Sequence, residues 1–140
     1  MQSINKSENS RKVEGKIMAQ NEGIHTIQSS IENCQNCHAV CLATIAQCLE
    51  IGGEHAAVGN IRTLQDCVQI CNDSADYMLR NSDFHPQICG VCAEICERCA
   101  VNCESLAVGN DFMAQCAEAC RKCAESCHHM STIAAKSATM

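Results

Sequence analysis

The sequence predicts an all-α protein, an antiparallel up-down four-helix bundle with a cysteine-lined core and a polar N-terminal extension. Apolar residues and cysteines recur at three- and four-residue steps through most of the chain. Pro86 is the sole proline, which leaves long segments free to be helical. Glycine and turn-forming clusters divide the periodic stretches into four of broadly similar length. At 140 residues the chain can bury one core but not two comfortable ones.

Residues 1–22 mix Ser, Asn, Lys and Glu with little periodicity and are expected as a polar extension, frayed or folded into a short peripheral helix. The bundle is expected over 23–133 and a flexible tail over 134–140. The first helix is expected from His25 to Ile51, stopped by Gly52-Gly53. The second should run from about Glu54 to Arg80, with Ile61, Leu64, Val68 and Met78 recurring at three- and four-residue steps, before a turn at Asn81-Ser82-Asp83. Ser82 or Asp83 can cap the third helix, expected from His85 to Val108, and Pro86 suits its first turn. Gly109-Asn110 breaks it, and the fourth should run from Asp111, as cap, to His129 or a little beyond. Short connections make sequential helices antiparallel neighbours.

Cysteine is the outlier, 15 of 140 residues with only three aromatics beside them. The third helix carries Cys89, Cys92, Cys96, Cys99 and Cys103, and the fourth Cys116, Cys120, Cys123 and Cys127. Steps that alternate between three and four residues are the inward seam of a bundle helix. Cys34, Cys37, Cys41 and Cys48 form a stripe on the first helix, and Cys67 and Cys71 on the second. All 15 thiols therefore converge on one core.

Ordinary packing accounts poorly for this, because Leu, Ile and Val would fill the same seam with more dispersion contact. Disulfides fit poorly too. Helix neighbours three or four apart hold their Cβ atoms about 5–6 Å apart, whereas a disulfide wants roughly 3.5–4.5 Å. With Met1 taken as the start, the first 23 residues hold no export signal, and no stretch is apolar enough to span a membrane. A reducing cytoplasm with free thiols is the expectation. A net charge of −6 gives no basic footprint for nucleic acid or an anionic membrane.

Thiolate-rich sites select Cu(I), zinc or iron–sulfur clusters. The gaps here are helical and no cysteine precedes a proline, which disfavours a ferredoxin-type cluster. Cys34-Gln35-Asn36-Cys37-His38 fits the covalent haem rule, but the pair belongs to the general stripe. Zinc is the serious rival, since crossing Cys-x-x-Cys pairs can supply four thiolates. Cu(I) accepts two or three, so multiple ions can share a continuous run of bridging sulfurs. A zinc or general metal buffer and a thiol redox protein are the alternative functions. An enzyme is disfavoured, as no nucleophile set, paired cavity carboxylates or phosphate loop can be traced.

The stretch Cys34-x-x-Cys37-x-x-x-Cys41, Cys67-x-x-x-Cys71, Cys89 to Cys103 and Cys116-x-x-x-Cys120-x-x-Cys123-x-x-x-Cys127 resembles the bacterial copper storage proteins, over about two thirds of the chain. The resemblance implies a homotetramer of bundles, each filled with Cu(I) through Cys-x-x-x-Cys pairs and longer bridges, and the lack of an export signal points to the cytosolic branch. One departure stands out: the second helix offers only Cys67 and Cys71, with Leu64, Ser74 and Met78 on the same stripe. His25, Met78, His85, His128, His129 and Met130 gather at one bundle end, where imidazole and thioether can capture copper and pass it inward.

Overall fold

A computed structural model describes residues 26–139. Four helices account for most of this span: α1 (Ile27–Ile51), α2 (Val58–Leu79), α3 (His85–Ser105) and α4 (Asp111–Thr139). Each packs against its neighbours in sequence, and α1 closes the square against α4. The diagonal pairs α1–α3 and α2–α4 make no comparable contact, so the bundle has a central bore facing all four helices.

The helix ends have local causes. Thr26 caps α1, its Oγ1 accepting the Ser29 N–H at 3.0 Å. Gly52 ends α1 with φ of 77°, a left-handed conformation that a side chain would strain. The next residues, Gly53–Ala56, form a 3-10 turn, so α2 begins at Val58 rather than at Glu54. Asn81 ends α2 with φ of 52°, while Ser82 N–H reaches the Tyr77 carbonyl and Asn81 N–H the Met78 carbonyl, a Schellman pairing.

Pro86 lies in the first turn of α3 as expected, but the cap position is Phe84, and Ser82 Oγ accepts the Phe84 N–H instead of capping the helix itself. α3 closes at Ser105, short of Val108, because Leu106 and Ala107 bond back only three residues and Val108 has nothing to bury against. Asp111 is not the cap of α4. The Asn110 carbonyl accepts the first intrahelical bond, from Ala114 N–H, and Asp111 stands in the first turn, where its charge favours the helix dipole. α4 runs to Thr139, through most of the stretch expected as a tail. Ile133 to Ala138 holds strong helix formers with no glycine or proline to stop them. The polar extension 1–22 and His25 lie outside the described residues.

The core is made mostly of thiols, with larger side chains at its ends. Leu64, Met78 and Met113 are fully or almost fully buried, and Ile31 and Met130 nearly so. Val40, Ile45, Ile61, Val68, Ile95 and Phe112 are half-buried and pack against this core from the flanks. Near the start of α3, Gly90 lets α4 approach closely, since a Cβ there would stand 3.0 Å from Ser131 Oγ. Because aliphatic volume is scarce, Leu64→Ala should cost about 2–5 kcal/mol of stability. Denaturant unfolding of the reduced, metal-free protein measures this.

Candidate metal centre

Each helix turns six successive seam positions inward. On α1 these are Ser30, Cys34, Cys37, Cys41, Thr44 and Cys48; on α2, Asn60, Leu64, Cys67, Cys71, Ser74 and Met78. On α3 the half-buried His85 leads into Cys89, Cys92, Cys96, Cys99 and Cys103; on α4, Met113 and Met130 bracket Cys116, Cys120, Cys123 and Cys127. All 15 thiols are free and fully buried, on the inward faces where the spacing places them.

The sulfurs touch one another. Cys34 Sγ lies 3.4 Å from Cys127 and 3.6 Å from Cys123 across the α1–α4 interface. Cys123 lies 3.7 Å from Cys71, which is 3.5 Å from Cys96. Cys67 joins Cys37 at 3.7 Å and Cys96 at 3.7 Å, and Cys41 joins Cys116 and Cys120, both at 3.7 Å. With Cys92, 3.8 Å from Cys96, these thiols form one connected network that crosses all four helices. Cys99 and Cys103 continue the same inward seam of α3 beyond Cys96, both fully buried. Cys89 is linked through Ser74, whose Oγ lies 3.5 Å from Cys89 and 3.9 Å from Cys127. Cys48 stands apart: its sulfur neighbour is the Met113 thioether, at 3.6 Å. Met113 and Asn60 escaped the sequence reading, although Met113 sits three residues before Cys116 on the same seam.

These spacings can be tested against metal geometry. The pairs Cys37–Cys41, Cys67–Cys71 and Cys92–Cys96 stand 3.8, 3.9 and 3.8 Å apart. With metal–sulfur bonds of about 2.3 Å, such pairs subtend about 111–116° at a shared ion. A linear two-thiolate site needs about 4.6 Å, so side-chain rotation must open a pair by about 0.7–0.8 Å. The sulfurs are thus spaced for three or four per ion, and linear binding requires rearrangement.

Four sets of four sulfurs lie within 4.8 Å of one another: Cys34, Cys92, Cys123, Cys127; Cys37, Cys41, Cys67, Cys120; Cys37, Cys67, Cys71, Cys96; and Cys71, Cys92, Cys96, Cys123. The second and third sets share Cys37 and Cys67, the third and fourth Cys71 and Cys96, and the fourth and first Cys92 and Cys123. No more than two of the four can be filled with separate sulfurs, and filling all four requires sulfurs that bridge ions.

A family model described as copper storage protein matches residues 24–132. The chain belongs to the copper storage protein family. A crystal structure of a Nitrosospira multiformis protein is 42% identical, covers 76% of this chain and 95% of its own, and superposes with a TM-score of 0.72. A Cu(I)-bound copper storage protein, BsCsp3, is 36% identical over 74% of this chain and 96% of its own, with a TM-score of 0.66. The uncharacterized cysteine-rich protein YhjQ of Bacillus subtilis is 36% identical over 67 residues, 48% of this chain, and the match spans 62% of that relative's length.

In this member of the copper storage protein family, burial of so many thiols raises the question of their charge. Among the described residues the buried polar side chains are Ser30, Thr44, Asn60, Ser74 and Ser126, none of them charged. Hydrogen bonding with Cys127 and burial push the Cys123 thiol up, and Cys116 and burial do the same to Cys41 and Cys103. Burial is the main cause at Cys48. Cys37, Cys67, Cys92 and Cys116 shift the other way, because neighbouring thiols donate to them, Cys120 foremost for Cys37 and Cys67. Mutual repulsion between buried thiolates keeps the network largely neutral.

The unfolded chain ionises its thiols near the ordinary value of about 8.5, while most folded thiols keep their protons. Above that pH the folded state binds more protons than the unfolded one, so stability falls as pH rises. Anaerobic denaturation of reduced, metal-free protein should therefore show a lower midpoint at about pH 10 than at about pH 8.

Proposed function

We propose that this protein stores Cu(I), many ions per chain, on the thiols of its core, and that it works as a sequestering protein rather than as an enzyme. The unbroken contact among sulfurs from all four helices carries the reading. Separate four-thiolate sites would leave much of the network unused, whereas a monovalent soft ion bridged by shared sulfurs uses it throughout. The 15 cysteines are the ligands in this reading. Their free state suits a reducing compartment, and we place the protein in the cytoplasm.

Loading replaces the proton of each ligating thiol with copper. Ions enter at the end where α1 and α3 begin and α2 and α4 finish. Met78 and Met130 are buried there, His85 and His129 are half-buried and His128 is exposed. His85 Nδ1 is buried without a hydrogen-bond partner one turn before Cys89, so its lone pair is available to an ion passing inward. Bundles associate as a homotetramer, and the exposed Leu42, Leu49 and Ile51 on α1 supply apolar surface for that contact.

Anaerobic titration of the fully reduced protein against a chromophoric Cu(I) chelator should show tight uptake well beyond about four ions per chain. Saturation at two or three would instead point to discrete zinc-type sites. Affinity should weaken as pH falls, because protons compete for every sulfur. Replacing Met78, His85, His128, His129 and Met130 with alanine should slow uptake in stopped-flow mixing and leave final capacity unchanged; equal rates would remove the entry port from the account.

A further inference from the structure

The end of the bundle opposite His85 and His129 is built differently from the rest of the bore. Cys48, near the C-terminus of α1, has no thiol in direct contact, because Thr44 occupies the seam position between it and Cys41 and turns its hydroxyl to the Val40 carbonyl at 2.7 Å. Its sulfur instead donates to Met113 Sδ, at 3.6 Å, and both residues are fully buried. Asn60 Nδ2 reaches the same Cys48 sulfur at 3.5 Å. The orientation of that amide is determined by its other partners: Nδ2 donates to the His55 carbonyl at 2.6 Å, and Oδ1 accepts from Asn102 Nδ2 at 2.6 Å.

We propose that Cys48 and Met113 form a separate thiolate–thioether site for a single Cu(I) ion at this end of the bore. The S–H of Cys48 already points at the thioether lone pair, so an ion that takes the place of this proton lies between two convergent sulfur donors. With bonds of about 2.3 Å the present spacing subtends about 103°, and a linear arrangement needs the sulfurs to part by about 1.0 Å. Both side chains can do this by rotation, Met113 over several torsions.

Charge favours the pairing at this place. A Cu(I) ion on two thiolates carries a net charge of −1, whereas one thiolate and one neutral thioether leave the unit uncharged. Cys48 and Met113 are both fully buried, and no charged side chain is buried among the described residues. Asn60 offers its N–H to the thiolate sulfur and so keeps Cys48 oriented, a role of the kind that residues around metal ligands commonly play. In this account Asn60 is a positioning residue.

The inference rests on the Cu(I)-storage reading and is tested separately from it. Selenomethionine-labelled protein carrying M78L and M130L, which removes the thioethers of the entry end, is loaded with Cu(I) and examined at the selenium absorption edge. A copper–selenium distance is expected, and adding M113L, a swap of similar volume, should abolish it. In otherwise unaltered protein with 13C-methyl methionine, the Met113 methyl resonance should shift on loading, and in N60A the shift should be smaller at equal copper. Multiple uptake with the same selenium spectrum in the M113L and parent proteins, or with an unmoved Met113 methyl, would overturn the site and leave the storage reading intact. Failure to take up more than two or three ions would overturn that reading itself.

Discussion

A neutral thiol is a metal ligand that a protein can bury in quantity before the metal arrives. Carboxylates in such a bore would demand cations, and imidazoles would demand hydrogen-bond partners. Thiols behave as small apolar side chains until a soft ion displaces their protons. The rest of the architecture follows from that property. The bore contains sulfur in contact with sulfur, no charged side chain is buried among the described residues, and the large apolar side chains sit at the two ends or on the flanks. Folding and loading therefore use the same surface in succession.

The network also bears on the choice of metal. Individual sulfur quartets are spaced much as a tetrahedral ion would want, which taken singly would favour zinc. Their overlap reverses that preference, because Cys37 and Cys67 belong to two quartets, as do Cys71 and Cys96, and Cys92 and Cys123. A divalent ion in every overlapping quartet would bring charges of +2 close together on shared sulfurs, while monovalent ions halve each of those charges. Contact between helices, more than the spacing within any one of them, sets the coordination chemistry.

Much of this was legible in the chain. The alternation of three- and four-residue gaps from Cys89 to Cys127 located the seams of two helices, and the turn residues Gly52, Asn81 and Gly109 marked three connections where the backbone adopts positive φ. Helix ends were less legible, since they depend on hydrogen bonding that sequence shows poorly: Asp111 reads as a cap, yet the Asn110 carbonyl does that work. Distances between helices were not legible at all. Nothing in the spacing says that Cys34 meets Cys127 rather than Cys89, or that Cys48 turns to a thioether. The seam pattern did carry Met113, but a methionine among cysteines reads as filler until its neighbour is known.

The interruptions of the seams deserve a different reading from the seams themselves. Thr44, Leu64 and Ser74 occupy inward positions that a cysteine would fit, and the helices run through them undisturbed. Capacity is thereby separated from foldability: one substitution at such a position adds or removes a donor without recasting the backbone. A binding protein with a single constructed pocket gains or loses its function at one step. Here the quantity held can drift gradually between lineages, like the number of rungs on a frame whose rails stay the same.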